Sequence, residues 1–540
     1  MTDAALDHHD VIIMGGGLAG LTLALQLKQR FEGIDVLVLE RRAHPVPHAA
    51  HKVGESSVEI GAHYFDTVLG LKDHLDSAQL RKFGFRFFFS EGRRDIDRVT
   101  EIGASRVLAT PSYQIDRGIF ENYLGEEAAA RGVRFVDNAL VRSISLDAAA
   151  GGHRIGWTEN GESHEAQCRW LIDACGRAGL LKRKLGLAEP NAHDANAVWF
   201  RIGERIAIDD WSDDPAWRAR CEPEGRRRCE PEGRRWLSTN HLCGAGYWVW
   251  LIPLASGSHS VGIVADPKLH RLDTMDSFDK AMDWFRTYQP RLFDALDGKR
   301  HLLQDFMFFR KFSYGCKQVF SGDRWALTGE AGAMSNTFIC DLIAHDRAGR
   351  SVDARAQLYD QIYHSFYEST LALYQDQYPL FGDPEVLPVK VIWDYTYYWG
   401  VLSQLFFQDR LTDLASLGNL REELQHCQQL NIAMQAFLRA WSAVSERANP
   451  PAMLDQASLP WFAELNASLR RPCADSREFQ ARVRACVAQL RTLAAQIRDE
   501  AQRAHPQLQD AALDALLEQN MPATPVDRAQ GAMLFEASRA

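Results

Sequence analysis

The sequence has no run of 18 or more apolar residues, no C-x-x-C pair and no excess of basic residues. The first absence predicts no transmembrane segment, and residues 1–10 lack the basic and apolar stretches of a secretory signal. Ten cysteines without such a pair are typical of reduced thiols in a cytoplasmic protein and indicate no metal cage. A formal charge of −10 argues against nucleic-acid binding.

The remaining composition is that of a large globular protein. The chain has 540 residues, of which 46% are hydrophobic and 24% are charged. This length allows several domains and an ample buried core, which excludes a disordered chain or a small disulfide-stapled one.

The first strong pattern is a βαβ unit at the N-terminus. Residues 11–14 form a short apolar strand, residues 15–20 read GGGLAG, and an apolar helix pattern follows over 21–27. A second strand over 34–39 stops at Glu40. The sequence therefore predicts strand, tight turn, helix and strand, as in a doubly wound α/β sheet.

The glycines of this turn fit the G-x-G-x-x-G pattern. Gly15 makes the turn, Gly17 lets the backbone approach a pyrophosphate, and Gly20 packs helix against strand. Glu40 is placed to accept hydrogen bonds from a ribose hydroxyl. A glycine turn can also join a strand to a helix for packing alone, but the flanking strands and the acid favour a dinucleotide site.

Three later segments indicate which dinucleotide is bound. They are YQIDR at 113–117, followed by a predicted helix over 118–131 and strand over 133–141; WLIDACGR at 170–177; and WALTGE at 325–330. Each alone is a common strand end, but in this order they resemble the FAD-contact motifs of the flavoprotein hydroxylase superfamily. The resemblance implies FAD, with Arg41 and Arg117 near it and Gly329 and Glu330 on the ribityl side.

Two further segments resemble the flavin-dependent halogenases of the tryptophan-halogenase type. Residues 248–253 read WVWLIP and fit W-x-W-x-I-P, which includes Trp248, Trp250 and Pro253. Residues 81–87 read RKFGFRF and resemble the segment with the catalytic lysine of that family, here Lys82. VGES at 53–56 resembles the flavin-side turn, which implies a cofactor role for Gly54, Glu55 and Ser56. The resemblance covers residues 11 to about 410.

The residue types give these motifs a physical interpretation. Spacing of two places Trp248 and Trp250 on one face of a strand, where two indoles make a bulky wall. If the wall faces the flavin, an organic substrate is kept from it while a small ion passes. The alternative is a pair of core tryptophans. Aromatic neighbours of Lys82 would favour a neutral amine if it is buried; the alternative is a solvated lysine over apolar rings.

The resemblance implies a reaction, cofactors and partners. Reduced FAD from a separate flavin reductase would react with dioxygen to give a hydroperoxide, and chloride or bromide would be oxidised to hypohalous acid. Lys82 would direct this oxidant onto an electron-rich aromatic or conjugated substrate, either free or bound to a carrier protein. The alternatives are an FAD-dependent monooxygenase that hydroxylates or epoxidises, and a non-catalytic FAD-binding protein.

One segment departs from the family pattern, and two others each have two possible interpretations. The loop after Gly329-Glu330, which holds halide in the family, appears deleted after Ala333, because the following residues resemble the helix beyond it. The repeat at 221–228 and 229–236 predicts an exposed loop, whose arginines could alternatively dock an acidic carrier protein. The segment 393–399, WDYTYYW, fits either an aromatic substrate pocket or helical core.

The expected architecture is a Rossmann-like FAD-binding sheet with an antiparallel β region and a helical C-terminal region. The predicted boundaries are 1–190 for the first part of the FAD-binding domain, 191–320 for the β-rich substrate region, 321–345 for the returning FAD segment and 346–540 for the helical region. A helix beginning at Asp475 is predicted with Phe479, Val483 and Leu490 on its buried face.

Overall fold

The computed structural model describes residues 6–49, 52–148, 151–221, 234–329 and 332–519. Its strands, in chain order, are β1 (Asp7–Met14), β2 (Val36–Leu39), β3 (Leu80–Arg81), β4 (Phe85–Phe88), β5 (Glu101–Gly103), β6 (Tyr113–Gln114), β7 (Arg134–Val136), β8 (Ala139–Ser145), β9 (His153–Glu159), β10 (Glu162–Asp173), β11 (Ala188–Glu189), β12 (Asn196–Ile202), β13 (Thr239–Gly244), β14 (Tyr247–Pro253), β15 (His259–Ala265), β16 (Leu303–Phe309), β17 (Gly315–Cys316), β18 (Trp325–Leu327) and β19 (Met453–Asp455).

The α-helices, in the same order, are α1 (Leu18–Arg30), α2 (Glu59–His63), α3 (Lys72–Ala78), α4 (Arg117–Ala130), α5 (Leu180–Lys184), α6 (Pro215–Ala219), α7 (Phe278–Tyr288), α8 (Pro290–Leu296), α9 (Gly332–Arg347), α10 (Asp353–Leu371), α11 (Val386–Tyr398), α12 (Gln404–Phe407), α13 (Leu414–Asn419), α14 (Arg421–Ser442), α15 (Pro460–Ser468), α16 (Ser476–Ala504) and α17 (Ala511–Glu518). None of the helices in the described ranges is both long and apolar enough to cross a membrane.

The first sheet contains the predicted βαβ unit. Its order is β7-β2-β1-β10-β9-β8, with β18 also paired to β10. Strands β7, β2, β1, β10 and β18 run parallel, whereas β8 and β9 are antiparallel additions. The predicted strand over 133–141 is two strands, because Asn138 adopts a positive φ of 50° and turns the chain between them. The mixed α/β class is confirmed.

The second sheet has the order β16-β12-β15-β14-β13-β4-β5-β19. Its centre is the antiparallel meander expected between residues 191 and 320. Strands β4 and β5 come from the range predicted as the first part of the FAD-binding domain, and β19 comes from the helical region. The sheet therefore joins three separate stretches of chain, and the pairing of β4 with β13 places the segment that contains Lys82 beside the meander.

The C-terminal region is helical, as expected. Asp475 caps α16 by accepting a hydrogen bond from the Glu478 amide at 2.8 Å. The predicted inner face of this helix, which includes Phe479, Val483 and Leu490, is buried against the core. Helices α11 and α14 pack beside it and against each other.

The end of the tandem repeat is core and not exposed loop. Residues 222–233 lie outside the described part of the chain, but Arg235 is fully buried. Its guanidinium donates to Glu101 Oε1 at 2.9 Å and lies 3.7 Å from the ring centre of Trp217. Glu101 also pairs with Arg86. The prediction of an exposed loop is therefore wrong for Arg235, because a buried carboxylate satisfies its charge.

Candidate functional site

The glycine turn lies at the carboxyl edge of the first sheet. Gly15 has a φ of +111°, and a Cβ there would lie 2.4 Å from the Ala174 carbonyl oxygen, so only glycine fits. At Gly20 a Cβ would lie 2.0 Å from the Gly15 oxygen, so α1 packs closely on β1. At Gly17 no described heavy atom lies within 4 Å of such a Cβ. Gly17 begins α1 without a side-chain cap, which leaves a helix N-terminus beside open space.

Glu40 follows β2 at the same edge. Its carboxylate accepts hydrogen bonds from the Gly16 amide at 2.7 Å and from the Arg42 amide at 2.9 Å. A carboxylate has about four acceptor positions, so about two stay open for ribose hydroxyls. Arg41 is exposed next to it. Gly329 follows β18, which ends at this edge, and a Cβ there would meet nothing described. These residues fit a dinucleotide; Glu330 lies outside the described residues.

The turn at Gly54, Glu55 and Ser56 contacts the start of α4. Gly54 has a φ of +85°, and a Cβ there would lie 3.1 Å from the Arg117 Nη1 atom. Arg117 donates to the Val53 carbonyl oxygen at 2.6 Å and to Glu121 Oε1 through Nε at 3.1 Å. The structure therefore brings Arg117 and this predicted flavin-side turn together.

A buried arginine joins this turn to the second sheet. Arg201 of β12 donates to Glu55 Oε1 at 3.0 Å, to Asp116 Oδ1 at 3.4 Å and to the His48 carbonyl oxygen at 2.7 Å. Burial raises the pKa of Glu55, and the attraction of Arg201 opposes this rise. Glu55 is thus a buried partner of Arg201, whose single charge faces two carboxyl groups.

Lys82 is buried and not solvated. Its Nζ atom donates to Ser56 Oγ at 2.8 Å and to the Ser57 carbonyl oxygen at 3.1 Å, and it lies 3.4 Å from the ring centre of Phe85. Ser56 Oγ also lies 2.7 Å from Thr239 Oγ1 on β13. Burial lowers the pKa of Lys82 to about 7, while the nearby Glu59 acts in the opposite direction.

Glu59, the first residue of α2, is the acidic neighbour of Lys82. Its side chain is buried, and its Oε2 atom has no hydrogen-bond partner among the described residues. Burial raises the pKa of Glu59, whereas the Lys82 charge and the Trp399 side chain favour its ionised form. Both groups are therefore buried, and the charge of each affects the protonation of the other.

Trp248 and Trp250 share one face of β14 but have different neighbours. Trp250 Nε1 donates to Ser260 Oγ at 3.1 Å, and the Ser260 side chain is one of the groups that oppose the raised pKa of Glu55 in the turn. Trp248 packs against Phe381, with ring centres 4.5 Å apart, and lines the cavity described next. The two indoles thus extend from the flavin-side turn toward that cavity. Pro253 lies at the end of β14, paired with His259.

A cavity of about 540 Å³ lies between the second sheet and the helical region. Its wall includes Phe85 and Phe87 of β4, Trp248, residues of α10 and α11, and Ala333 and Met334 at the start of α9. Val58 and Tyr374, which are 37% and 41% exposed, line its opening. The segment 393–399 contributes both to this wall and to the core: Tyr395 and Tyr398 face the cavity, while Trp393 and Trp399 are buried.

Four features of the site were not predicted from the sequence. Arg201 and the pair Lys390 and Asp394 each interrupt an apolar run, and a charge in a buried strand or helix is a usable signal. Glu59 gives no such signal, because it begins a short helix where acids are common. His241, which stacks on Phe87 at 4.5 Å, looks like any polar residue of an alternating strand.

The comparisons with known proteins agree with this fold. A family model described as FAD binding domain matches residues 8–223. The structure of the halogenase PltM superposes with a TM-score of 0.60 at 17% identity, covering 90% of this chain and 96% of that one. The chain is therefore similar, over residues 8–223, to flavoproteins with an FAD binding domain.

Within that class the chain is a relative of the flavin-dependent halogenases, as its motifs predicted. It is 26% identical over 363 residues to the flavin-dependent halogenase chlA of Dictyostelium discoideum, covering 62% of this chain and 57% of that protein. It is 26% identical over 341 residues to the 1H-pyrrole-2-carbonyl-(peptidyl-carrier protein) chlorinase of Pseudomonas fluorescens, covering 60% of this chain and 70% of that protein. The match to the Dictyostelium protein thus spans little more than half of its length.

Proposed function

We propose that this protein is an FAD-dependent halogenase that passes an oxidised halogen through Lys82 to an electron-rich aromatic or conjugated substrate. The observation that carries the proposal is the position of Lys82. Its buried amine contacts the flavin-side turn through Ser56 and the cavity wall through Phe85. A surface lysine would have neither contact.

The glycine turn, Glu40, Arg117 and the turn at residues 54–56 are the groups proposed to hold FAD. Bound in its reduced form, FAD supplies the electrons that, with dioxygen and chloride or bromide, yield hypohalous acid. A separate flavin reductase is the proposed source of reduced FAD, because the sequence has no second G-x-G-x-x-G motif followed by an acid.

The role proposed for Lys82 needs its neutral amine. The amine nitrogen attacks the halogen of hypohalous acid, so an N–halogen bond forms as the halogen–oxygen bond breaks, and the released hydroxide takes an amine proton to become water. Transfer to an aromatic carbon restores the amine, and the carbon gives up its proton in exchange. A pKa near 7 leaves a substantial neutral fraction at neutral pH.

Trp248 and Trp250 are proposed to separate the place where the oxidant forms from the place where it is used. The support is that Trp250 hydrogen-bonds Ser260 beside Glu55, whereas Trp248 lines the cavity. An organic substrate held in the cavity then meets an indole before it meets the cofactor. Only a small molecule such as hypohalous acid passes.

The experiment that tests this function uses purified protein with FAD, a flavin reductase, bromide and a panel of phenols, indoles and pyrroles. Product masses with the bromine isotope doublet support halogenation. Addition of one oxygen supports a monooxygenase instead, and FAD binding without any product supports a non-catalytic flavoprotein.

We expect the protein to bind halide weakly, so that the reaction does not saturate at low halide concentration. Only residues 328–331 separate β18 from α9, which leaves few backbone N–H groups to cradle an anion. The rate of product formation should therefore keep rising with chloride concentration at constant ionic strength. Initial rates with chloride exchanged for an inert anion measure this, and saturation at low chloride would contradict it.

We expect the pH dependence of product formation to follow Lys82. The rate should rise through a midpoint near pH 7, because the neutral amine is the reactive form. Glu59→Gln removes the negative charge that stabilises the ammonium, so the pKa of Lys82 falls and the midpoint moves to lower pH. Initial rates between pH 5.5 and 9 give both midpoints.

The matched control for this titration is Glu204→Gln, which removes an exposed carboxylate paired with Lys299. It should leave the midpoint in place. A midpoint that Glu59→Gln leaves unchanged, or moves upward, would contradict the coupling between Glu59 and Lys82.

A further inference from the structure

The wall of the cavity carries one ion pair in otherwise apolar surroundings. Lys390 Nζ donates to Asp394 Oδ2 at 2.5 Å, one turn along α11, and Gln435 Nε2 of α14 donates to Asp394 Oδ1 at 2.8 Å. The Lys390 side chain is 3% exposed and that of Asp394 is 24% exposed. A buried ion pair contributes little net stability compared with apolar residues of the same volume. Its place in the wall therefore calls for an explanation beyond stability.

Asp394 has hydrogen-bonding capacity left over. Its carboxylate accepts two hydrogen bonds from protein groups, and a carboxylate has about four acceptor positions. The side that is not covered faces the cavity, because Asp394 is one of its lining residues. A hydrogen-bond donor inside the cavity, such as a hydroxyl group, would occupy one of the remaining acceptor positions of Asp394 with a short, charge-assisted hydrogen bond.

We propose that Asp394, supported by Lys390, is the polar anchor of the substrate, and that the substrate is an uncharged phenol of two or three rings whose hydroxyl donates to Asp394. This inference rests on the proposed halogenase function and names the substrate class of the same site.

Volume and charge both support this class. A cavity of roughly 150 Å³ holds one benzene, so the 540 Å³ present here has room for two or three rings. The charges of Lys390 and Asp394 cancel, and burial lowers the pKa of His241 to about 3, which keeps that imidazole neutral. A charged substrate would lose its hydration without gaining a counter-ion.

Aromatic side chains lead from the region of the anchor toward Lys82. Asp394 precedes Tyr395, whose ring centre lies 5.9 Å from that of Phe85. The Phe85 ring in turn lies 3.4 Å from Lys82 Nζ. A molecule of two or three rings that is held by its hydroxyl at Asp394 therefore extends along aromatic faces toward the amine.

The test measures binding to the FAD-loaded protein by calorimetry, without turnover. The probes are 4-hydroxybiphenyl, its methyl ether, biphenyl-4-carboxylate and phenol. We expect 4-hydroxybiphenyl to bind at least tenfold more tightly than each of the others, because only it combines a neutral donor with two rings. Equal binding of the hydroxyl compound and the ether, or preference for the carboxylate, would overturn the anchor; this comparison needs no variant.

Asp394→Asn then tests the residue. We expect it to weaken 4-hydroxybiphenyl at least tenfold and to leave the methyl ether unchanged, whereas Asp376→Asn, at an exposed aspartate, should change neither. Unchanged binding of 4-hydroxybiphenyl to Asp394→Asn would overturn the assignment. If 4-hydroxybiphenyl binds preferentially but no halogenated product forms in the turnover assay, the proposed function alone is refuted. If halogenated product forms without this binding preference, the Asp394 anchor alone is refuted.

Discussion

If the proposed function holds, we expect Lys82→Met to reduce the formation of halogenated product at least 100-fold, a loss in the range found when a positioned proton-transfer or nucleophilic group is removed. The methionine fills the space of the lysine stem beside Phe85 but has no amine to receive the halogen. We expect FAD to remain bound, as measured by quenching of flavin fluorescence, because the contacts of Lys82 with Ser56 and Ser57 reach only one of the segments proposed to hold FAD.

The control is Lys268→Met, which removes an exposed lysine on the loop after β15. It should turn over like the unmodified protein. Normal product formation by Lys82→Met would remove this residue from the reaction, and loss of FAD binding together with product would show that Lys82 has a structural role instead.

We expect Arg201→Met to lower the free energy of unfolding by about 3–5 kcal/mol, the usual cost of removing one partner from a buried charge pair. The variant leaves Glu55 and Asp116 buried without their cation, at the junction of the flavin-side turn and β12. Urea unfolding followed by tryptophan fluorescence measures the loss.

The pH dependence of this loss separates charge from packing. Arg201 holds down the pKa of Glu55, so its removal raises that pKa further above the value in the unfolded chain. A group whose pKa is raised by folding binds more protons when folded, so its contribution to stability falls as the pH rises. The deficit of Arg201→Met should therefore be larger at pH 8 than at pH 5. A deficit that is equal at both values would indicate lost packing, and Arg271→Met, on the surface, should show no measurable deficit.

The parts of the fold that follow from local pattern could be predicted from the sequence. The βαβ unit depends on adjacent residues, since the apolar runs, the glycine spacing and the acid after β2 are all within 35 residues. The W-x-W-x-I-P strand and the capped helix α16 are local in the same sense. Each of these elements is identified by a regular spacing of its apolar residues or glycines, or by a residue that caps the helix.

The parts that join distant residues could not be predicted in this way. Arg201 and Glu55 are separated by 146 positions, and nothing near either one indicates the other. Strands β4 and β5 look like part of the first domain until their hydrogen bonds to β13 and β19 are known. Arg235 looks like one more arginine of a charged repeat, because only the fold places Glu101 beside it.

The anchoring of Arg235 bears on how this chain tolerates changes of length. Cys221, the first residue of the repeat, and Arg235, its last residue but one, are both buried. An added copy of these eight residues therefore has to be accommodated between Cys221 and Arg235 if the buried pair of Arg235 and Glu101 is to form.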